Sequence, residues 1–407
     1  MRSTRFIHLG LIPCAASLAL SGCSGSTNSP TLSPSSSTVA YVYVSSQTAT
    51  SGPNQIVAYA ADAKGQLAPV PGSPFSQSVG SIGASGGYLL AASLSQSDIN
   101  SYKIGSNGAL TLGPQLTLTQ QTGGTTCGNG GKFVFERTGK SLYAEIDDCS
   151  GNKEIASLAF DSSNGSLSYL GNVNIGTKSS AAISFLGNNK FAYSALNDAC
   201  LYGGMSPFSL SNTGLVDLTS FVQTPQFGPP VPPGAKISDV KQPSYAAGFT
   251  ATDTTNHVAI AEFPCFQQSG VVATKIQLAT YTADATGDLT TSDTYATMPA
   301  TAVDPQVLEM SPSGSLLAVG GVGGLQVFHF NGANPITSFT NVLTTDNIGQ
   351  MFWDKNNHLY AITLTAGSLA VSPGKLHVFT ITDAAASEAP GSPYTITSPL
   401  SLAVSSQ

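Results

Sequence analysis

The sequence is poor in charge, and poorest in positive charge. Only 9% of its 407 residues are charged, and arginine occurs at three positions, Arg2, Arg5 and Arg137. Acidic residues outnumber Lys and Arg, 22 to 15, and no basic run is present. Because phosphate backbones are bound through clustered Lys and Arg, this composition argues against a nucleic-acid partner.

Short motifs of several common catalytic sites are absent as well. The sequence has no His-Glu-x-x-His pair, no phosphate-binding loop of the Gly-x-x-x-x-Gly-Lys-Ser/Thr type and no Cys-x-x-Cys. It is rich instead in Gly (42), Pro (24) and small polar residues, and 41% of the chain is apolar. That is a turn-rich β composition with enough apolar content for a sizeable core.

The first 22 residues have the form of a secretory signal. Arg2 and Arg5 precede an apolar run, 6–20, which is too short to span a bilayer comfortably. The run ends in Leu-Ser-Gly-Cys, which resembles the lipobox of bacterial lipoproteins, whose cysteine is diacylated and becomes the first residue after cleavage. This resemblance implies lipidation of Cys23. An ordinary signal peptide with a chance cysteine is the alternative.

The sequence therefore divides into a signal (1–22), a lipidated cysteine with a Ser/Thr/Pro-rich tether (23–38) and a folded domain (39–407). The tether carries no charge and almost no apolar residue, so it cannot pack. We expect an exported protein held on the bacterial cell envelope by its acyl chains. Without Arg2 and Arg5 the 15 basic residues become 13 against 22 acidic ones, a formal charge of −9.

A unit of four strands repeats along the domain. Its second strand occurs seven times, as YVYVSS, YLLAAS, SLYAEI, KFAYSA, HVAIAE, SLLAVG and HLYAIT. Its third strand alternates apolar and polar residues and ends in an Asn/Asp/Gly turn, as a half-buried strand and hairpin require. The Leu or Ile after that turn recurs at intervals of 43, 57, 48, 74 and 47 residues.

Periods of about 40 to 50 residues with four strands per unit indicate propeller blades. We predict an all-β, seven-bladed β-propeller of four-stranded antiparallel blades; a β-sandwich, the alternative, would lack the repeat. The C-terminal SPLSLAVSSQ matches a first strand, whereas the domain begins with a second strand. The C-terminal strand should therefore pair in the N-terminal blade, close the ring and remove its open edges.

At residues 39–407 the sequence resembles the lactonase-type seven-bladed propellers, which are related to 6-phosphogluconolactonase, carboxymuconate-cyclising enzymes and YVTN repeats. The resemblance lies in the "hLYAh" strands and in the GSPF and GSPY phrases near the two ends of the domain. It implies lactonase or cyclase activity, with His, Arg and Glu around the channel mouth. It is more specific for architecture than for chemistry.

Four cysteines of the domain, an even number in an exported chain, favour disulfides. Cys149, Cys200 and Cys265 follow second strands in three successive blades. Cys127 and Cys149 should lie almost opposite one another across an antiparallel pair, which leaves Cys200 with Cys265. A Cys149–Cys200 bridge is also sterically possible.

Acidic residues gather in the same loops. We place these residues on the cysteine-bearing face of the ring: Glu145, Asp147, Asp148, Asp198 and Glu262. Such carboxylates could bind a divalent cation such as calcium or act as acid and base; solvated acidic loops are the alternative. A Pro-rich insertion, 224–243, belongs to this face and could cap the channel, meet a partner or be a mere surface insertion.

The sequence lacks the cationic residues that the family's enzymes are expected to carry around the channel mouth. Arg137 is the only Arg of the domain and precedes a hairpin turn on the opposite face, and the histidines occupy positions typical of structural residues. A phosphorylated sugar lactone would have little to hold its charge. We therefore expect a monomeric, non-catalytic module that binds a glycan, peptide or protein and needs no cofactor. A lactonase-like hydrolase or isomerase is the alternative.

Overall fold

Alternating apolar residues and closely spaced turns make most of the described chain β-strand. The computed structural model describes residues 37–48, 54–77, 79–93, 98–121, 126–128, 133–148, 150, 152–176, 180–196, 205–218, 245–264, 275–294, 296–363 and 373–407. No helix among these residues is long and apolar enough to cross a membrane.

Seven antiparallel sheets follow one another along the chain, and each sheet is one blade. The first two blades contain β1 (Ala40–Gln47), β2 (Asn54–Ala61), β3 (Leu67–Pro69), β4 (Phe75–Ser76), β5 (Val79–Ser85), β6 (Tyr88–Ser93), β7 (Asp98–Ile104) and β8 (Leu110–Thr117). After helix α1 (Leu118–Gln121), the next two contain β9 (Thr126–Gly128), β10 (Phe133–Phe135), β11 (Ser141–Asp148), β12 (Lys153–Asp161), β13 (Ser166–Gly176), β14 (Ser180–Phe185), β15 (Phe191–Leu196), β16 (Met205–Leu210) and β17 (Val216–Leu218).

The last three blades complete the ring. They contain β18 (Tyr245–Thr252), β19 (His257–Pro264), β20 (Gln277–Ala283), β21 (Leu289–Thr290), β22 (Asp304–Met310), β23 (Leu316–Val322), β24 (Gly324–Asn331), β25 (Asn334–Ser338), β26 (Ile348–Trp353), β27 (His358–Thr363), β28 (Pro373–Ile381), β29 (Ala386–Glu388) and β30 (Tyr394–Thr397). The final strand, β31 (Pro399–Ser406), belongs to the first blade. The seven-bladed architecture predicted from the sequence is confirmed.

Closure of the ring follows from the pairing of the two chain ends. β31 is antiparallel to β1, with Ala403 opposite Tyr43 and Ser406 opposite Ala40. It occupies the innermost position of the first blade, the position that β5, β10, β14, β18, β22 and β26 occupy in the others. The sheet edge that β1 would otherwise expose is therefore covered.

The core consists of seven apolar clusters, one at each contact between neighbouring blades. The tyrosine of the "hLYAh" strand explains part of the repeat. Buried Tyr43, Tyr143 and Tyr193 each donate a hydrogen bond, at 2.7–2.8 Å, to the carbonyl oxygen of a glycine in the turn between the third and fourth strands of the next blade. The aromatic rings thus pack between two blades, and their hydroxyl groups join them.

The two GSP-aromatic phrases have the same local structure in the first and last blades. The glycines, Gly72 and Gly391, both have φ of +84°, a conformation that favours glycine. The serine hydroxyl of each phrase accepts a backbone N–H from the third strand at 2.9 Å, from Ala58 to Ser73 and from Val378 to Ser392. Each phrase therefore divides a fourth strand into two short pieces.

Candidate active site in the axial channel

A cavity of about 290 Å³ lies on the axis of the ring. Its lining comes from all seven innermost strands, from Gly83 and Ala84 on β5 to Ala403 and Val404 on β31. Ligand sites in proteins are typically concave, largely apolar and furnished with a few polar groups. The cavity has that form, and the ionisable residues of its described lining are Arg137 and Glu309.

Arg137 is held at one end of the channel by the hairpin between β10 and β11. The preceding residue, Glu136, is buried and accepts the backbone N–H groups of Thr138 and Lys140 at 2.6 and 2.7 Å. These bonds, with those from Thr138 Oγ1 and Asn189, lower the pKa of Glu136 although burial of the carboxylate opposes them. The carboxylate thus fixes the turn that carries Arg137.

The guanidinium group of Arg137 reaches across two neighbouring blades. Its Nε donates to the carbonyl oxygen of Phe185 at 3.1 Å, and its Nη2 donates to Thr252 Oγ1 at 2.7 Å and to the carbonyl oxygen of Asp253 at 2.8 Å. Nη2 also contacts the carbonyl oxygen of Thr252. Among the described residues Nη1 has no hydrogen-bond acceptor, so the described part of the chain engages neither of its two N–H groups.

Glu309 enters the same cavity from β22 in the sixth blade. Burial lowers the pKa of Arg137, while the charges of Glu309 and Asp253 act in the opposite direction. Arginine remains protonated throughout the physiological pH range. The cavity therefore combines a fixed cation with a carboxylate, which is a suitable pair for stabilising an oxyanion and accepting a proton.

Two of the predicted acidic residues, Glu145 and Asp147, share one lysine as their ion-pair partner. Both lie on β11, and Lys153 on β12 forms ion pairs with them. The hydrogen bond that Lys153 donates to Asp147 raises the pKa of Lys153. Lys153 thus offsets one of the two carboxylate charges, and the ligand face that contains these residues remains a prediction.

Glu262 is buried between the fourth and fifth blades rather than exposed on a ligand face. Only 1% of the residue is exposed, and β19 continues beyond it to Pro264. Its Oε1 accepts a hydrogen bond from Tyr281 at 3.0 Å, and its Oε2 has no partner among the described residues. Burial, and secondarily the charge of Asp293, raise the pKa of Glu262 to about 7.

Other predicted positions lie outside the described residues. They are Cys23, Cys149, Asp198, Cys200, Cys265, the insertion 224–243, and the side chains of Cys127 and Asp148. Within the described part of the chain, no three His, Cys, Asp or Glu residues are grouped so that they could hold a metal ion. The disulfides and the divalent cation remain predictions.

The site contains two residues that the sequence analysis missed. Arg137 lies at the hairpin end of the ring, as expected, and it also lines the axial cavity, which the sequence did not indicate. Glu309 could have been found from its position, since it is a charged residue within the apolar first strand VLEM. The axial cavity therefore has one cation, at its hairpin end, among its described lining residues.

Comparison with solved structures identifies the architecture. A protein from Bacteroides uniformis assigned as a 6-phosphogluconolactonase has 11% sequence identity and a TM-score of 0.61, over 91% of this chain and 100% of that one. The chain shares its fold. A second assigned 6-phosphogluconolactonase, from Bacteroides fragilis, has 12% identity and a TM-score of 0.57, over 90% and 98% of the two chains.

A third structure with this fold is the periplasmic gluconolactonase of Pseudomonas aeruginosa. It has 11% identity and a TM-score of 0.53, over 89% of this chain and 99% of that one. No family model and no curated protein matches the sequence. At identities this low the similarity shows the propeller fold alone, since one fold can carry many functions.

Proposed function

We propose that the protein is a lactonase-like hydrolase that opens an uncharged lactone in the axial cavity. The observation that carries the proposal is the presence of anchored Arg137 and Glu309 in the lining of one cavity. A non-catalytic binding role, which the sequence analysis favoured, depended on the absence of such a cation. The names of the three structures with this fold also support lactone chemistry.

The reaction uses the two side chains in complementary roles. Glu309 takes a proton from water as the water oxygen attacks the carbonyl carbon of the lactone. Nη1 of Arg137 donates hydrogen bonds to the carbonyl oxygen, which becomes negative in the tetrahedral intermediate. When the ring C–O bond breaks, Glu309 returns the proton to the departing oxygen, and the product is a hydroxy acid.

The anchoring of Arg137 makes it suited to this role. Phe185, Thr252 and Asp253 accept hydrogen bonds from its Nε and Nη2, so the direction of Nη1 is fixed before a substrate binds. Donors that need no reorganisation during the reaction are the most effective at stabilising developing charge. The described lining contains no lysine and no second arginine, so it offers little to a phosphate group.

Steady-state kinetics with uncharged lactones test the proposal. We expect Glu309→Gln to lower kcat by about 10²- to 10⁴-fold and Arg137→Met by about 10²- to 10³-fold. Thr252→Val, which removes one acceptor for Nη2 and keeps the charge, should lower kcat less. Glu154→Gln is the matched control, since Glu154 pairs with Asn172 on β12 and β13 and does not line the cavity.

Thermal melting of each variant separates loss of catalysis from loss of folding. A folded Glu309→Gln protein with the activity of the wild type would contradict the role of Glu309. Absence of turnover by the wild-type protein on every lactone would contradict the proposed function and would support the binding role.

We also propose that the reaction takes place outside the cytoplasm, on a protein anchored through Cys23. The signal-like segment and the uncharged tether support this placement. The Pseudomonas structure is named as a periplasmic protein, which is compatible with it. Mass spectrometry of the membrane-extracted protein, described below, tests the anchor.

A further inference from the structure

The wall of the axial cavity is chiefly apolar in its side chains. Of the 22 described residues that line it, 15 have no polar side-chain atom. The largest of these include Phe133, Phe249, Phe352, Leu308 and Met310. They come from four of the seven blades, so a ligand on the axis would meet large apolar side chains on more than half of its sides.

Most of the polar side chains in the lining are already engaged with the protein. Ser184 and Thr250 are hydrogen-bonded to each other at 2.9 Å, and Thr252 Oγ1 donates to the carbonyl oxygen of Phe185 at 2.6 Å. The side-chain oxygen of Gln350 accepts the backbone N–H of Leu402 at 2.8 Å. These bonds connect neighbouring innermost strands and leave few side-chain groups for a ligand.

Little remains to recognise hydroxyl groups once the lactone carbonyl and the attacking water are bound. Arg137 and Glu309 serve the reacting atoms, which leaves the amide groups of Gln306 and Gln350. A sugar lactone carries several hydroxyl groups, and each hydroxyl that is buried without a partner weakens binding. An alkyl or aryl substituent has no hydroxyl group to leave unpaired, and its contact with the apolar wall strengthens binding.

We infer that the substrate is a lactone with an apolar substituent rather than a sugar lactone. This inference rests on the proposed function. The volume of about 290 Å³ is at the lower limit of ordinary ligand sites, so it suits a lactone ring with a short alkyl chain or a small fused aromatic ring. Such a substrate also presents a single polar group, the lactone ester, which matches the single fixed nitrogen, Nη1 of Arg137.

A series of δ-lactones that differ only in the alkyl group at the ring carbon tests the inference. Burial of each methylene should raise kcat/KM about fourfold, so the pentyl lactone should exceed the methyl lactone on the order of 100-fold. δ-Gluconolactone should be hydrolysed more slowly than the pentyl lactone. A higher kcat/KM for δ-gluconolactone would show that backbone groups at the inner strand edges recognise hydroxyls, and would overturn the inference.

Variants of the wall provide a second readout. Phe352→Gln and Met310→Gln should each lower the ratio of kcat/KM between pentyl and methyl lactones by about tenfold, because a polar group replaces the apolar contact. Leu112→Gln is the matched control and should keep the ratio of the wild type, since Leu112 is 65% exposed on the outer strand β8. Unchanged ratios in both wall variants would contradict an apolar substrate.

Binding distinguishes failure of this inference from failure of the proposed function. If no lactone is hydrolysed, the proposed function fails, and calorimetry with the pentyl δ-lactam and with gluconolactam then decides the ligand class. If the pentyl lactam binds the wild-type protein and binds the Phe352→Gln variant more weakly, the inference of an apolar ligand stands. Tighter binding of gluconolactam, or no binding of either lactam, would overturn it.

Discussion

The buried carboxyl group of Glu262 should make the stability of the fold depend on pH. Its pKa is raised to about 7, whereas the ordinary value is 4.5. The folded protein therefore retains a proton that the unfolded chain releases between about pH 4.5 and pH 7, so this group destabilises the fold progressively as pH rises through that range. At about 1.4 kcal/mol for each pH unit, the full effect is about 3 kcal/mol.

Glu262→Gln removes this dependence, because the amide stays neutral at every pH. The variant and the wild type should differ little in their free energy of unfolding at pH 4. At pH 8 the variant should be more stable by about 3 kcal/mol, since the wild type must then bury a carboxylate whose Oε2 has no described partner. Urea unfolding of both proteins at a series of pH values measures the difference directly.

Glu136→Gln is the control of opposite sign. Its carboxylate accepts several hydrogen bonds in the hairpin before β11, and its pKa is lowered. Its contribution is present above pH 4.5 and is lost as the pH falls below that value, so its cost should be constant between pH 6 and pH 8. If the effect of Glu262→Gln is also constant from pH 4 to pH 8, the carboxyl group of Glu262 is not protonated in the folded protein and the reasoning fails.

Two further predictions concern the ends of the chain and its cysteines. Deletion of 400–407 removes the ladder between β31 and β1 together with buried Leu402. At about 1 kcal/mol per hydrogen bond and about 1.5–3 kcal/mol for the leucine, the lost stability approaches that of a whole domain. An unchanged melting temperature would therefore contradict the closure of the ring. Mass spectrometry of the membrane-extracted protein under non-reducing conditions should find acylated Cys23 and a Cys127–Cys149 bridge. Release from the membrane should follow Cys23→Ser; a membrane-bound variant or a Cys149–Cys200 bridge would refute the corresponding prediction.

Most of the fold could be predicted from the sequence, because it depends on local patterns. The alternation of apolar residues, the Asn/Asp/Gly turns and the recurring tyrosine identify the second and third strands, and the unpaired tail of the chain indicates how the ring closes. HVAIAE, for example, was predicted as a strand and lies within β19. The extension of that strand to Pro264 has no local signal, so the burial of Glu262 could not be predicted.

The candidate site was harder to predict because it depends on contacts between distant parts of the chain. The position of Arg137 before a hairpin turn fixes its end of the ring, but the direction of its side chain is set by Phe185, Thr252 and Asp253 in two other blades. No sequence pattern near Arg137 predicts those hydrogen-bond partners. Glu309 did carry a signal, as a charge in an apolar first strand, although the signal does not reveal which blade it faces.

A crystal structure of the protein with a non-hydrolysable δ-lactam tests the central claim most directly. The lactam carbonyl mimics the carbonyl of the substrate and should lie in the axial cavity, within about 3 Å of Nη1 of Arg137, with a water molecule or the ring N–H near Glu309. Crystals of the Arg137→Met variant should lack this density, because the hydrogen-bond donor is gone. A lactam bound on the opposite face of the ring, with the axial cavity filled only by water, would contradict the account.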